Sequence, residues 1–200
     1  MQRRAVLDLS RLPEDAPSSG SLTWWGTLAF MLIEGTGFAL AVAVYLYLGS
    51  LDPGWRQGAP PPAWGPGLGV TLLLLASLVP NLLLMRWARA GDLKRTRLGL
   101  LLMAGFGTAP LLLRIFEFAA FGVSWDDSAY GSAVWLLLGL HTTHILTDLV
   151  ETYVLCFLFF TRHGDHPRRY GDVQDGALYW YFVVLTWLPI FGCLYGLPRL

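Results

Sequence analysis

Apolar residues gather in five runs along the chain, 24–48, 68–85, 98–121, 131–160 and 177–197, with short stretches rich in Arg, Asp, Gly and Pro between them. At a rise of about 1.5 Å per residue, each run crosses or nearly crosses a hydrocarbon core about 30 Å thick. Inside lipid every backbone amide needs a partner within its own segment, which leaves helices as the one option for such runs. The pattern therefore predicts an all-α polytopic membrane protein, a bundle of five transmembrane helices over 23–200. Ahead of it stands a polar, Ser/Pro-rich leader, 1–22. The first run is too long and too poorly flanked for a cleaved signal, so the leader is expected to be retained in the cytoplasm, even though Arg3-Arg4 superficially resembles a twin-arginine signal. No internal repeat is visible, and five spans do not divide into two equal halves.

Composition agrees with the pattern and narrows the partners. Hydrophobic residues make up 54% and charged residues 14%, against about 25% charged in ordinary soluble domains. Mean hydropathy is +0.50. A formal net charge of zero argues against a nucleic-acid partner, which needs a clustered basic binding surface. The Lys and Arg residues instead sit at span ends: Arg3, Arg4 and Arg11 in the leader, Arg86, Arg89, Lys94, Arg95 and Arg97 in the second loop, and Arg162, Arg168 and Arg169 in the fourth. The other side carries Arg56 and Arg199, so the positive-inside rule places the N-terminus in the cytoplasm and the C-terminus outside. The second-loop cluster suits anionic lipid or an acidic partner face, although such clusters often do no more than set topology. The loop 50–66, with Pro60-Pro61-Pro62 between Trp55 and Trp64, reads as a stiff, irregular interface segment. Cys156 and Cys193 both lie within apolar runs and read as small core hydrophobes.

Seven ionisable residues fall inside the runs: Glu34, Arg114, Glu117, His141, His144, Asp148 and Glu151. A charge in hydrocarbon is costly, so these side chains are expected to face the bundle interior. His141, His144, Asp148 and Glu151 are three, four and three residues apart, which places them on one face of the fourth helix, bordered by Thr147. The plainest reading is a satisfied polar seam that fixes helix register. The sharper one is a metal site or proton path, because His and carboxylate at these spacings can share an ion. A second helix would have to contribute, and no Glu-x-x-His pair is present. Arg114 and Glu117, three apart, are placed to neutralise each other. Glu34 has no charge partner in its own helix and needs one from another helix or a lipid headgroup. Gly35 and Gly37 beside it would let a second backbone come close. Pro80 with Asn81 is the obvious candidate for a helix break.

Together these residues resemble those of the haem-copper oxidase (cytochrome c oxidase) subunit III family in its short five-helix form. Trp25-Gly26, Phe30, Glu34, Phe38, Tyr45 and Tyr47 are similar to the helix that holds the family's buried glutamate. Glu117, Asp127, Tyr130-Gly131-Ser132, Gly139 and His141-Thr142-Thr143-His144 resemble its Glu, Asp, Tyr-Gly-Ser and His-Gly-x-His pattern at similar separations. Tyr179-Trp180-Tyr181-Phe182-Val183 with Trp187 resembles the closing helix. The likeness extends over about 24–197. It implies an accessory role in aerobic electron transport coupled to proton translocation. This chain would have no catalytic residue, no metal and no cofactor of its own; haem and copper would lie in the catalytic subunit I and in subunit II, and phospholipid would be bound between helices. It also implies residence in a bacterial or archaeal cytoplasmic membrane. Glu34, Glu117, His141 and His144 carry over residue by residue.

The departures raise alternatives. Tyr181 stands where the family usually has His, Val184 where it has Asp, Asp148 where a small residue is common and Glu151 where an apolar one is usual. The polar seam is therefore expected to have moved onto the fourth helix. A divergent partner that reduces nitric oxide instead of oxygen is one alternative. A membrane metalloprotein built on His141, His144, Asp148 and Glu151, and a transporter with a midplane cavity, are the others.

Overall fold

A computed structural model describes residues 22–52, 54–56, 58–161 and 164–199, so the leader and Arg162 lie outside the described residues. Among these residues five helices are long and apolar enough to span a membrane, as the sequence pattern requires. They are α1 (Leu22–Leu51), α2 (Trp64–Arg89), α3 (Leu93–Ala120), α4 (Ala129–Phe159) and α5 (Pro167–Phe191). A π-helical turn, Gly192–Gly196, and a short 3-10 turn, Leu197–Arg199, extend α5.

Helix ends follow local chemistry more than hydropathy. The Asp92 side chain accepts from the Arg95 amide at 3.0 Å, and Ser128 from Gly131 at 3.1 Å, each satisfying a first-turn donor. His166 does the same for Arg168, and Pro167 follows it at the first helical position. This cap starts α5 ten residues before its apolar run, so the polar segment 167–176 is helical too. Gly91, at φ +65°, makes the tight α2–α3 turn that a side chain would strain. The expected break at Pro80 does not occur: α2 runs continuously through it, as α3 does through Pro110. Packed neighbours and Ser/Thr hydroxyls take up carbonyls that a mid-helix proline frees.

α2, α3, α4 and α5 pack in a closed ring, and α1 lies outside it against α4 and α5. α1 accordingly buries little beyond Phe38, Ala41 and Tyr45. One end of the bundle holds the α2–α3 and α4–α5 turns and is basic. The opposite end holds the α1–α2 and α3–α4 loops and the C-terminal turn. There Arg56 donates to the Pro198 and Ala59 carbonyls at 2.9 and 2.8 Å, while Arg199 donates to Tyr195 and Pro62 and lies over the Trp64 ring. The two cations on this side thus tie the loop 50–66 to the C-terminus.

α5 is locked to α2 by a row of contacts that run in opposite order along the two helices. Asn81 Nδ2 donates to the Ala177 carbonyl at 2.9 Å, the Trp180 indole to Ser77 at 2.7 Å, and the Trp187 indole to Thr71 at 2.8 Å. Tyr195 then lies against Gly67 so closely that any Cβ there would collide with its ring.

Candidate functional site

The stripe on α4 does not form one seam. Its four residues face three environments.

His141, fully buried, belongs to the first. Its Nδ1 is 2.9 Å from Arg114 Nη2 and its Nε2 is 3.0 Å from the Val183 carbonyl. A guanidinium only donates and a carbonyl only accepts, so Nδ1 accepts, Nε2–H donates, and the ring is neutral. Arg114 also donates to Glu117 at 2.5 Å, and the second Glu117 oxygen accepts from the Tyr195 hydroxyl at 2.7 Å. The guanidinium carbon lies 4.3 Å from the Trp187 ring centre. Arg114 and Glu117 are 1% and 0% exposed. An ion pair this deep persists only when further hydrogen bonds and aromatic faces occupy what the pair leaves open; here His141, Tyr195 and Trp187 do so for all but Arg114 Nε, which is buried without a hydrogen-bond partner among the described residues. α3, α4, α5 and the π turn are joined at this point.

His144, one turn further along α4, meets Glu34 of α1, with Nε2 2.9 Å from Glu34 Oε1. The other Glu34 oxygen accepts from Tyr179 of α5 at 2.7 Å. His144 Nδ1 lies 2.6 Å from the Leu140 carbonyl and so carries a hydrogen. The Nε2···Oε1 contact then holds one further proton, bonded either to nitrogen, as an ion pair, or to oxygen, as two neutral groups. Phe38 covers the imidazole, with ring centres 4.6 Å apart. Glu34, which lacks a partner in its own helix, is thus satisfied from α4 and α5, and its side chain is 15% exposed at the edge of the bundle.

Asp148, which is buried, and Glu151, which is exposed and so does not face the bundle interior as expected, border the third environment, a cleft toward the basic end. Among the described residues neither carboxylate has a hydrogen bond or ion pair. They therefore do not stand in for the polar pair that Tyr181 and Val184 replace on the closing helix, and the expected move of the seam onto these two acids is not met. Tyr179, absent from the sequence-based set, supplies the α5 contact instead.

Each imidazole nitrogen of His141 and His144 is engaged by this chain, so these residues do not fit as haem or copper ligands. Among the described residues no group of three or more His, Cys, Asp and Glu is arranged to hold a metal ion.

A four-helix ring with an outrigger helix, tied together by buried polar side chains facing inward, defines a polytopic membrane helical bundle. The profile of the family described as Cytochrome c oxidase subunit III matches residues 25–197, and the chain belongs to that family. Its relatives are distant. It is 25% identical over 179 residues to cytochrome c oxidase subunit 3 of Drosophila yakuba, covering 86% of this chain and 68% of that protein. Identity is also 25% over 176 residues to the Corynebacterium diphtheriae subunit 3, covering 85% of each. With the Cyanidium caldarium subunit 3 it shares 26% over 134 residues, 65% of this chain and 47% of that protein. The chain thus spans about half the length of some curated relatives it matches and most of the length of others.

Proposed function

We propose that this chain is a non-catalytic accessory subunit of a respiratory haem-copper oxidase, packed on the catalytic subunit I, and in contact with subunit II, in a bacterial or archaeal cytoplasmic membrane. The observation that carries the reading is the family match across 25–197. The site geometry supports it, since the deepest polar groups are spent on helix-to-helix bonds and the imidazoles offer no free nitrogen. Haem and copper belong to the partner subunits in this reading. The near-complete two-way coverage with the Corynebacterium diphtheriae subunit supports a short five-helix form. Basic residues at the α2–α3 and α4–α5 turns support an N-terminus inside and a C-terminus outside.

In this role the Glu34–His144–Tyr179 group is the part of the chain able to exchange a proton or to meet a lipid headgroup. It lies at the lipid-facing edge, joins three helices, and can move one proton between two atoms without moving a helix. Phospholipid would lie along the exposed face of α1, where Leu32, Ile33 and Leu40 are 73%, 70% and 62% exposed.

The test is purification of an affinity-tagged chain from its native membrane in mild detergent. A larger, haem-bearing subunit with an oxidase spectrum should co-purify and consume oxygen. A tagged chain that runs alone from membranes containing an active oxidase, or that accompanies an enzyme reducing nitric oxide and not oxygen, would overturn the proposal.

A further inference from the structure

The cleft toward the basic end is bounded by α2, α3, α4 and α5, and its polar lining includes Asn81, Asp148, Glu151 and Thr152 among apolar walls such as Leu100 and Trp180. Among the described residues no Lys, Arg or His lines it. Asp148 is 5% exposed and has no hydrogen-bond or ion-pair partner among the described residues. Asn81, on a different helix, supplies an independent observation. It is 1% exposed, and its Nδ2 donates to the Ala177 carbonyl at 2.9 Å. That bond fixes the amide, because turning it would set two acceptor oxygens together. Asn81 Oδ1 is left buried with no donor. Glu151 adds a third acceptor group, its Oε1 3.5 Å from where a Cβ on Gly176 would stand. This carboxylate therefore lies against α5 beside Gly176. Asp172, itself paired with Arg169 at 3.5 Å, and Asp175, also on α5, are within electrostatic reach of Glu151.

An amide oxygen and two carboxylates, one on buried Asp148 and one on exposed Glu151, therefore border one cleft beside the Thr152 hydroxyl, and no cation from the described residues lines it. Leaving such acceptors unmet is unfavourable for a neutral group and more so for a charged one. Water would satisfy hydrogen bonds but would leave an ionised carboxylate without a counter-charge. A phospholipid amine would bring a phosphate for which this lining offers no cation. We infer that the Asn81–Asp148–Glu151 cleft binds a hard metal cation of the alkali or alkaline-earth class. Carboxylate, amide-carbonyl and hydroxyl oxygens suit such ions, and soft-metal donors are not part of the polar set. The bound cation would pin α4 to α2 and α5 at a level where the chain makes no direct bond from Asp148. The site is independent of the accessory role, and its failure would leave that reading untouched.

The native complex, or the full-length chain in detergent if it purifies alone, is melted in sodium, magnesium or calcium chloride and in choline chloride at matched ionic strength and neutral pH. At least one metal should raise the melting temperature saturably over choline. Asp148→Asn, which keeps the side chain's shape, should weaken the apparent affinity about tenfold or more, because carboxylate count sets affinity in oxygen sites. Infrared difference spectra of the wild type, cation minus choline, should show a carboxylate change that is lost in Asp148→Asn and reduced in Glu151→Gln. Identical wild-type melting in all four salts would overturn the inference. So would a metal effect that persists undiminished in Asp148→Asn, or a spectrum showing Asp148 protonated whatever cation is supplied. If Asp148→Asn fails to accumulate, the wild-type spectra and Glu151→Gln decide the matter.

Discussion

Glu34 shows how a residue's partners decide what its replacement does. Glu34→Gln can still donate from its amide to His144 Nε2 and accept from Tyr179, so the three-helix contact survives while the exchangeable proton is lost. The expected outcome is normal yield of the complex with slower turnover at raised pH, or a shorter working lifetime, followed by oxygen uptake across pH. Glu34→Leu instead strands the imidazole and the phenol and should lower the yield itself. Normal kinetics and working lifetime of Glu34→Gln across pH would show that Glu34 is packing alone. Glu117 is a different case. Replacing it with Ala leaves the Arg114 guanidinium buried without its counter-charge, at a cost of about 3–5 kcal/mol. Joint replacement, Arg114→Met with Glu117→Leu, should recover most of that loss in a thermal melt. The sequence exposed all seven membrane-embedded ionisable residues, because charge stands out in an apolar run. It marked Tyr179 and Trp187 only through the closing-helix likeness and gave no sign of Tyr195 or of the partners the three take, because their hydroxyls and indole look in sequence like those of ordinary core or interface aromatics. The sequence also placed four α4 residues on one face but could not say that three different sets of neighbours divide that face.

At the scale of elements, the α2–α5 row sets the register that brings Tyr195 to Glu117. Thr71→Val removes the acceptor of the Trp187 indole. Interhelical hydrogen bonds within membranes average only about 0.6 kcal/mol, so the expected fall in stability is far smaller than for Glu117→Ala. Gly67→Val is expected to be worse than Thr71→Val, at about 1–3 kcal/mol for overpacking, because Tyr195 must move and releases Glu117. Detergent melting of the three variants checks the order, and a Thr71→Val loss matching that of Glu117→Ala would contradict it. Five spans were legible because lipid permits no other backbone solution. Their ends were less so: the polar start of α5 is written in His166 and Pro167, a capping signal that hydropathy does not register, and Pro80 was a misleading sign of a break because neighbouring helices support α2 through it.

For the whole molecule, the ring of four helices is closed by its own side chains, while α1 presents most of its length outward. An outward apolar helix in a membrane needs only lipid, yet the polar edge at Glu34 and the family membership both direct attention to a larger assembly. In the proposed role this polypeptide works beside a redox subunit and holds no redox centre itself. Native mass spectrometry of the purified oxidase, with a haem spectrum taken before and after this chain is stripped away by harsher detergent, tests that claim most directly. A stoichiometric copy of this chain is expected in the complex, with all haem and copper remaining on the other subunits after separation. A stripped chain that carries away haem or copper, or a complex that never contains the chain, would contradict it.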